Sequence, residues 1–267
     1  MRIAIFGTGG IGGYFGGRLA EAGEEVGFIA RGEHLRALQR DGLRVESIEG
    51  DFHLAPVQAT DDPAEIGPVD AVLLAVKTWQ VPAAAAALRP LIGPDTVVVP
   101  LQNGVEAPDQ LSAALGEEHA AAGLCSLITS VAAPGVIRHE GAAPRIAFGR
   151  RGGAADSRLE ALLEAFNRAK GLTADIPEDI EAALWRKFLM ITTFSGVGAV
   201  TRAPIGVLRS LPQTRAMLEQ SLREIYDVAL ARAVRLTPAA MEAAMAFMDG
   251  LPPGAMASMQ RDILEGR

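Results

Sequence analysis

Short apolar runs alternate with helical patterns through the first half of the chain. Each run is a predicted strand followed by a turn or a helix: Arg2–Phe6, Val26–Ala30, Asp70–Val76 and Thr96–Leu101. This alternation is typical of a parallel sheet with helices on both faces. Because Asp70–Val76 is apolar at nearly every position, we expect both of its faces to be covered and place it at the centre of the sheet.

Further short runs between Leu124 and Gly149 predict additional strands. They cover Ser126–Ala132, Val136–His139 and Arg145–Phe148, and Pro-Gly and Gly-Ala-Ala-Pro sequences separate them. Both separators are typical of turns. We expect these strands to complete the same sheet.

The pattern becomes almost continuously helical after a short predicted strand at Leu172–Ile176. Pro177 then stands at the entry to a long helix, and Asp179 is placed to cap its first turn or to offset its dipole. We therefore predict two domains, a sheet domain over residues 1–176 and a helical domain over residues 177–267. The predicted fold class is α/β, with a doubly wound sheet followed by an all-helical C-terminal domain.

A glycine-rich turn directly follows the first predicted strand and opens a helix. Its residues are Gly7, Thr8, Gly9, Gly10, Ile11 and Gly12. In such a turn Gly7 permits a tight bend, Gly9 lets the backbone approach a pyrophosphate, and Gly12 lets helix and strand pack closely, while the helix N-terminus faces the anion. A tight connection without a ligand is the alternative. The strand before and the helix after the turn favour a dinucleotide site in a Rossmann domain.

The second predicted strand is followed by Arg31. At this position NAD-dependent enzymes commonly carry Asp or Glu, which accepts a hydrogen bond from the ribose 2′-hydroxyl. A guanidinium cannot accept that bond, but it can bind a 2′-phosphate through two donors. The sequence therefore predicts NADP (NADPH) as the cofactor, with a solvated surface arginine as the alternative.

Two more polar residues follow predicted strands. Lys77 comes directly after the third strand, and Asn103 comes shortly after the fourth. In open α/β sheets ligands bind beyond the carboxyl ends of the strands, so we expect both residues to join Gly7 and Arg31 in one cofactor-binding crevice. Taken alone, Lys77 has an ordinary interpretation as an exposed charge and Asn103 as a turn residue.

The long helix in the second half presents a lysine on an apolar face. Spacings of four, three, four and four residues align Ile180, Leu184, Lys187, Ile191 and Ser195. Such a lysine either extends to the helix edge and water or is held beside a ligand, where partial desolvation favours proton donation. The pattern alone favours the first interpretation. A nicotinamide reductase needs a proton donor beside the substrate carbonyl, however, and Lys187 is the residue predicted to provide it.

Composition excludes several classes of partner. The 267 residues carry a net charge of −7 and a pI near 5.2, which opposes binding to nucleic acid or to anionic lipid. Cys125 is the single cysteine, and the four histidines lack metal-ligand spacing, so we expect no disulfide and no metal. The apolar start at Ile3–Phe6 is too short for a signal peptide or a membrane span. We therefore expect a cytoplasmic protein that acts on a small molecule.

Six segments of this sequence resemble the ketopantoate reductases and span nearly the whole chain. They are residues 7–12, Lys77-Thr-Trp-Gln80, Gln102-Asn-Gly-x-Glu106, Trp185-Arg-Lys-Phe188, Thr201-Arg-Ala-Pro204 and Ser258-Met-x-x-Asp262. The glycine turn is shared with many enzymes. The Lys-x-Trp-Gln, Gln-Asn-Gly and Trp-x-Lys-Phe segments in this order are much more specific to the family.

The resemblance implies a role for each of four residues. By this resemblance Lys187 donates the proton to the 2-oxo group, and Asn103 contacts both the nicotinamide end of the cofactor and the substrate. Lys77 holds the cofactor, and Ser258 binds the substrate carboxylate. The implied reaction is hydride transfer from NADPH to ketopantoate (2-dehydropantoate), which gives pantoate for pantothenate biosynthesis.

The sequence departs from the family pattern at three positions. Where the family has asparagines four, eight and eighteen residues beyond the lysine, this chain has Ile191, Ser195 and Ile205. Isoleucine cannot hydrogen-bond a substrate carboxylate or hydroxyl, so these residues favour a less polar 2-oxo acid, while Ser195 retains one substrate contact. The alternative is that Ile191 and Ile205 fill core and another group binds the hydroxyl.

The end of the sequence departs as well. The family continues past the Ser258 segment into an acidic residue and another helix, whereas this sequence stops at Arg267, so we expect it to be truncated, with a site that closes differently as the alternative. The second half also contains apolar helices, which include Met241, Met245 and Met248. Such helices can pack within the domain or against a second copy of the chain. We favour packing within the domain over packing against a second copy of the chain in a homodimer.

Three functions remain in consideration. The first is an NADPH-dependent reductase of ketopantoate. The second, for which Ile191 and Ile205 argue, is a reductase of a different, less polar 2-oxo acid or imine on the same scaffold. The third is a non-catalytic NADPH-binding sensor, against which the retention of Lys187 and Ser258 argues.

Overall fold

The computed structural model describes residues 1–266. Within them the chain forms two compact units, which divide between Ile180 and Glu181. The predicted boundary, between Ile176 and Pro177, lies four residues before this division. The predicted fold class, a Rossmann-like α/β unit followed by a helical unit, is confirmed.

Strands and helices alternate along the first unit. In chain order its elements are β1 (Arg2–Phe6), α1 (Gly10–Glu21), β2 (Glu25–Ile29), α2 (Gly32–Asp41), β3 (Leu43–Ser47), β4 (Phe52–Leu54), β5 (Gln58–Thr60), β6 (Val69–Leu74), α3 (Val81–Ala87), β7 (Ile92–Pro100), α4 (Ala107–Leu115), β8 (Ala122–Ala133), β9 (Val136–Gly149), α5 (Ser157–Arg168) and β10 (Thr173–Asp175). Short 3₁₀ turns lie at Pro63–Glu65, Thr78–Gln80, Arg89–Leu91 and Arg151–Gly153.

The first sheet has five parallel strands in the order β5-β2-β1-β6-β7. Both faces of β6 are buried, as predicted, because Ala71 and Leu73 pack into one apolar core while Val72 and Leu74 pack into another. Its predicted place at the centre is wrong, since β1 is central and β6 lies beside it. The prediction failed because it did not include β5, whose three residues form no apolar run. β5 adds a fifth strand next to β2, which makes β1 the central strand.

A second sheet takes up the strands that were expected to complete the first. It runs in the order β10-β9-β3-β4, and β8 pairs antiparallel with β9. The runs predicted at Val136–His139 and Arg145–Phe148 belong to one strand, β9. The residues between the two runs form a bulge in its pairing with β8. Ser126 pairs with Arg145 and Ile128 with Glu140, so residues 141–144 have no opposite partner in β8.

The second unit consists of helices. They are α6 (Ile180–Thr201), α7 (Ile205–Ser210), α8 (Pro212–Ala231), α9 (Ala239–Gly250) and α10 (Ser258–Leu264). No helix within residues 1–266 is both long enough and apolar enough to cross a bilayer. In the same residues, no group of three His, Cys, Asp or Glu side chains is placed to hold a metal ion.

Candidate active site

Four predicted cofactor-site residues lie at one edge of the first sheet. Arg31, Gly7, Lys77 and Asn103 follow β2, β1, β6 and β7, which are four adjacent parallel strands. Parallel neighbours end at the same edge of a sheet, so the chain brings these four positions together there. The strand order reverses between β1 and β6, where such sheets form their ligand crevice.

The glycine turn is tight and closely packed. Gly7 has a φ of +100°, and a Cβ built on it would lie 3.0 Å from Val76 Cγ1 and 3.1 Å from the Ala75 backbone. A Cβ on Gly12 would lie 2.3 Å from the Gly7 carbonyl oxygen and 2.8 Å from Ile5 Cγ2. The predicted steric roles of Gly7 in the bend and Gly12 in the helix–strand packing are confirmed.

The turn leaves both space and donors for an anion. A Cβ on Gly9 would meet no atom within 4 Å, and Gly9 is the N-cap of α1. The Gly9 N–H donates to the Gly7 carbonyl, and the Gly13 N–H donates to the Gly9 carbonyl. Helix geometry provides no partner within the helix for the three N–H groups between them, which belong to Gly10, Ile11 and Gly12. These residues fit the pyrophosphate of a dinucleotide.

Thr8 has a different use within the turn. Its side chain is buried, and its hydroxyl donates to the Ile29 carbonyl oxygen over 3.0 Å. The Thr8 N–H donates to the same oxygen over 3.0 Å. Both donors therefore attach the turn to the end of β2, and the predicted contact of Thr8 with the cofactor stays a prediction.

Arg31 is exposed and is the N-cap of α2. No carboxylate among residues 1–266 forms an ion pair with it, and the nearby Glu33 pairs with Arg36 instead. His34 supplies no competing positive charge, because burial lowers its pKa and its Nδ1 accepts from the Gly135 N–H over 3.0 Å. Arg31 is therefore an exposed arginine at the end of β2 without a carboxylate partner among residues 1–266, and its predicted contact with a 2′-phosphate stays a prediction.

The segments that carry Lys77 and Asn103 are joined by a hydrogen bond. The Thr78 hydroxyl donates to the Asn103 carbonyl oxygen over 3.0 Å. The Lys77 N–H donates to Gln80 Oε1 over 3.0 Å, and Lys77 Nζ lies 5.9 Å from the centre of the exposed Trp79 ring. Lys77 and Asn103 are both exposed, so their side chains face outward from a fixed backbone.

A buried amide strengthens the same connection. Gln102 is 7% exposed, and its Nε2 donates to the Leu74 carbonyl over 2.8 Å and to the Val76 carbonyl over 3.1 Å. The sequence singled out Gln102 only as part of the Gln-Asn-Gly segment. Its burial beside two strand ends has no signal in the sequence, because glutamine in a turn is ordinarily exposed.

The other predicted site residues belong to the second unit. Lys187 is half-buried on α6, and Ser195 is buried two turns further along the same face. The turn that carries Lys187 is fixed by Trp185, which is 2% exposed and donates through Nε1 to Glu181 Oε1 over 3.2 Å. The Phe188 ring packs edge-on against the Trp185 ring, with 5.4 Å between ring centres.

The two isoleucines at family asparagine positions differ in environment. Ile205 is fully buried, and its N–H donates to the Ala255 carbonyl over 3.1 Å. Of the two interpretations left open for Ile205, the structure supports core packing. Ile191 is only half-buried, one turn beyond Lys187 on the same face of α6.

Ser258 is the exposed first residue of α10. Two residues later Gln260 is fully buried, and its Nε2 donates to the Ala203 carbonyl over 3.0 Å. This bond attaches α10 to the segment that follows α6. Met248 is fully buried and packs in the core, whereas Met241 and Met245 are half-buried.

Two family models match most of the chain. Residues 3–153 match the family described as ketopantoate reductase PanE/ApbA, and residues 179–267 match its C-terminal part, ketopantoate reductase PanE/ApbA C terminal. The chain is 30% identical over 267 residues to the uncharacterized oxidoreductase YkpB of Bacillus subtilis, which covers 100% of this chain and 87% of that protein.

Solved structures extend the comparison to the fold. The 2-dehydropantoate 2-reductase from Geobacter metallireducens GS-15 has a TM-score of 0.91 and 31% identity, and the match covers 100% of this chain and 88% of that one. D-mandelate dehydrogenase, in a ternary structure with NADH and anilino(oxo)acetate, has a TM-score of 0.88 at 22% identity over 100% of this chain and 86% of that one. The second likeness shows the fold alone.

Proposed function

Because the chain belongs to the ketopantoate reductase family, which is a family of oxidoreductases, we propose that it reduces ketopantoate to pantoate with NADPH in pantothenate biosynthesis. The enzyme would act in the cytoplasm on a small 2-oxo acid. The observation that carries the proposal is the glycine turn, which combines open space at Gly9 with three helix N–H groups. Arg31, without a carboxylate partner among the described residues, supports NADPH over NADH.

Residues of the first unit would hold the cofactor. The N–H groups at the start of α1 would bind the pyrophosphate, and Arg31 would bind the 2′-phosphate through two charge-assisted hydrogen bonds. Lys77 would hold the cofactor from the end of β6, and Asn103 would orient its nicotinamide end. When bound, NADPH supplies the hydride that adds to the carbonyl carbon of the 2-oxo acid.

Lys187 would supply the proton. As the carbonyl carbon becomes tetrahedral, negative charge grows on its oxygen, and the Lys187 ammonium transfers one proton to that oxygen. The lysine is left as a neutral amine and regains a proton from water. Ser258 would bind the substrate carboxylate, and Ser195 would provide a hydroxyl to a polar group of the substrate.

Arg31→Ala tests the choice of cofactor. Removal of two charge-assisted bonds should weaken NADPH binding about 10–100-fold and should change NADH binding by less than about twofold. The measurement is the Kd of each cofactor by fluorescence titration. Arg36→Ala, which removes an arginine from the same helix, serves as the control and should change neither Kd. Equal losses for NADPH and NADH in Arg31→Ala would contradict the assignment.

The substrate is tested with a panel of 2-oxo acids and saturating NADPH. Ketopantoate should give the highest kcat/KM, because its hydroxyl and carboxylate have partners in the proposed site. The panel should include simple alkyl and aryl 2-oxo acids of similar size. Cofactor binding without oxidation of NADPH by any acid would instead favour the sensor function.

One observation favours a second candidate, a reductase of a less polar 2-oxo acid. Ile191 occupies the face of α6 next to Lys187, where the family has an asparagine. A kcat/KM for an alkyl or aryl 2-oxo acid at least equal to that for ketopantoate would favour this candidate.

A further inference from the structure

We infer that Gln102 is a positioning residue for the cofactor site, because its buried amide fixes the strand ends that carry Lys77 and Asn103. Two carbonyl oxygens lie within 3.1 Å of one end of the Gln102 side chain, so that end must be the NH₂ group. The inference rests on the proposed function, in which Lys77 and Asn103 bind the cofactor.

The amide extends the pairing of β6 and β7 beyond the backbone ladder. The last residues in register are Leu74 and Pro100, and the Leu101 N–H then donates to the Leu74 carbonyl over 2.9 Å. Past this point the Gln102 side chain replaces the backbone, with one bond to Leu74 and one to Val76. Lys77 follows Val76 directly, and Asn103 follows Gln102 directly, so both are held at their backbone.

The same amide supports the glycine turn. Ala75 and Val76 form the surface against which Gly7 packs, at 3.0–3.1 Å from a Cβ position on that glycine. Gln102 Nε2 holds this segment by donating to the Val76 carbonyl, and the Thr78 hydroxyl donates to the Asn103 carbonyl. Gln102 therefore contributes to the placement of three of the four strand ends at the site, although its side chain would not touch the cofactor itself.

Two substitutions remove the donor in different ways. Gln102→Met keeps the size of the side chain without hydrogen bonds. Gln102→Glu keeps the shape of the side chain but directs a carboxylate oxygen at the two carbonyl oxygens that now accept from Nε2. It also places negative charge at the position of Oε1, which has no hydrogen-bond partner within residues 1–266. We expect both to weaken NADPH binding by at least about fivefold, with the larger loss for Gln102→Glu. Gln39→Glu, a change at an exposed glutamine that donates to the Ala59 carbonyl near the opposite edge of the sheet, should have no effect.

A mutant cycle separates positioning from simple support of the fold. If Gln102 acts by positioning Lys77 and Asn103, the fold-loss in NADPH affinity caused by Gln102→Met should shrink to less than half in a background that carries both Lys77→Ala and Asn103→Ala. The same loss in both backgrounds would overturn the inference. So would a lower Tm for Gln102→Met with an unchanged Kd. Because Kd is read without turnover, failure of the parent enzyme to reduce ketopantoate would count against the proposed function and not against this inference.

Discussion

Replacement of Lys187 by alanine is expected to lower kcat by about 10²–10⁴-fold and to leave the Kd for NADPH within about twofold of the parent value. The range is the usual contribution of a positioned proton donor. The cofactor-site residues proposed here, from the glycine turn to Asn103, all belong to the first unit, so cofactor affinity should not depend on this lysine. Steady-state assays at saturating NADPH give kcat, and fluorescence titration gives Kd.

Two further variants make the Lys187 prediction specific. Lys187→Arg keeps the positive charge but cannot release its proton, so it should be nearly as inactive as the alanine variant. Arg186→Ala changes the exposed neighbour on the same helix and should retain parental kcat. Turnover within about tenfold of the parent in Lys187→Ala would remove this lysine from the proton-donor role.

The sequence predicted the elements whose pattern is set locally. β1 and β6 are nearly continuous apolar runs, because both faces of each strand are buried. Glycine positions, with their steric consequences, can be read directly from the sequence. β4 and β5 have three residues each, and β3 alternates polar and apolar residues, so no run identified them. The sequence could not show that some strands form a second sheet, because strand pairing depends on contacts between residues that are far apart in the chain.

The candidate site divides in the same way. The types of residue that follow the strands predicted Arg31, Lys77 and Asn103 as cofactor-site residues, because side-chain chemistry and position along the chain are both visible in the sequence. The roles of Thr8 and Gln102 were not visible, since each depends on a backbone carbonyl from another strand. Ile205 carried two interpretations until its complete burial favoured core packing.

Gly12→Ala and Gly9→Ala should both abolish tight NADPH binding, but only the first should destabilise the protein. A Cβ at Gly12 would lie 2.3 Å from the Gly7 carbonyl oxygen, an atom of the backbone, so the turn itself must move. Overpacking of this kind costs about 1–3 kcal/mol in the free energy of unfolding. A Cβ at Gly9 meets no protein atom within 4 Å, and the φ of −88° there suits alanine, so the free energy of unfolding should not change.

The contrast between the two variants locates the pyrophosphate. A methyl group at Gly9 fills only the space that the proposal reserves for the phosphate oxygens, so the Kd for NADPH should rise at least about 100-fold without a change in the urea midpoint. Gly23→Ala adds a methyl group into similarly open space after α1 and controls for the effect of the substitution on NADPH binding, although its φ of +96° should lower the free energy of unfolding by about 1 kcal/mol or more. If Gly9→Ala binds NADPH as tightly as the parent, the cofactor does not lie over this turn, because the added carbon has nothing else to displace.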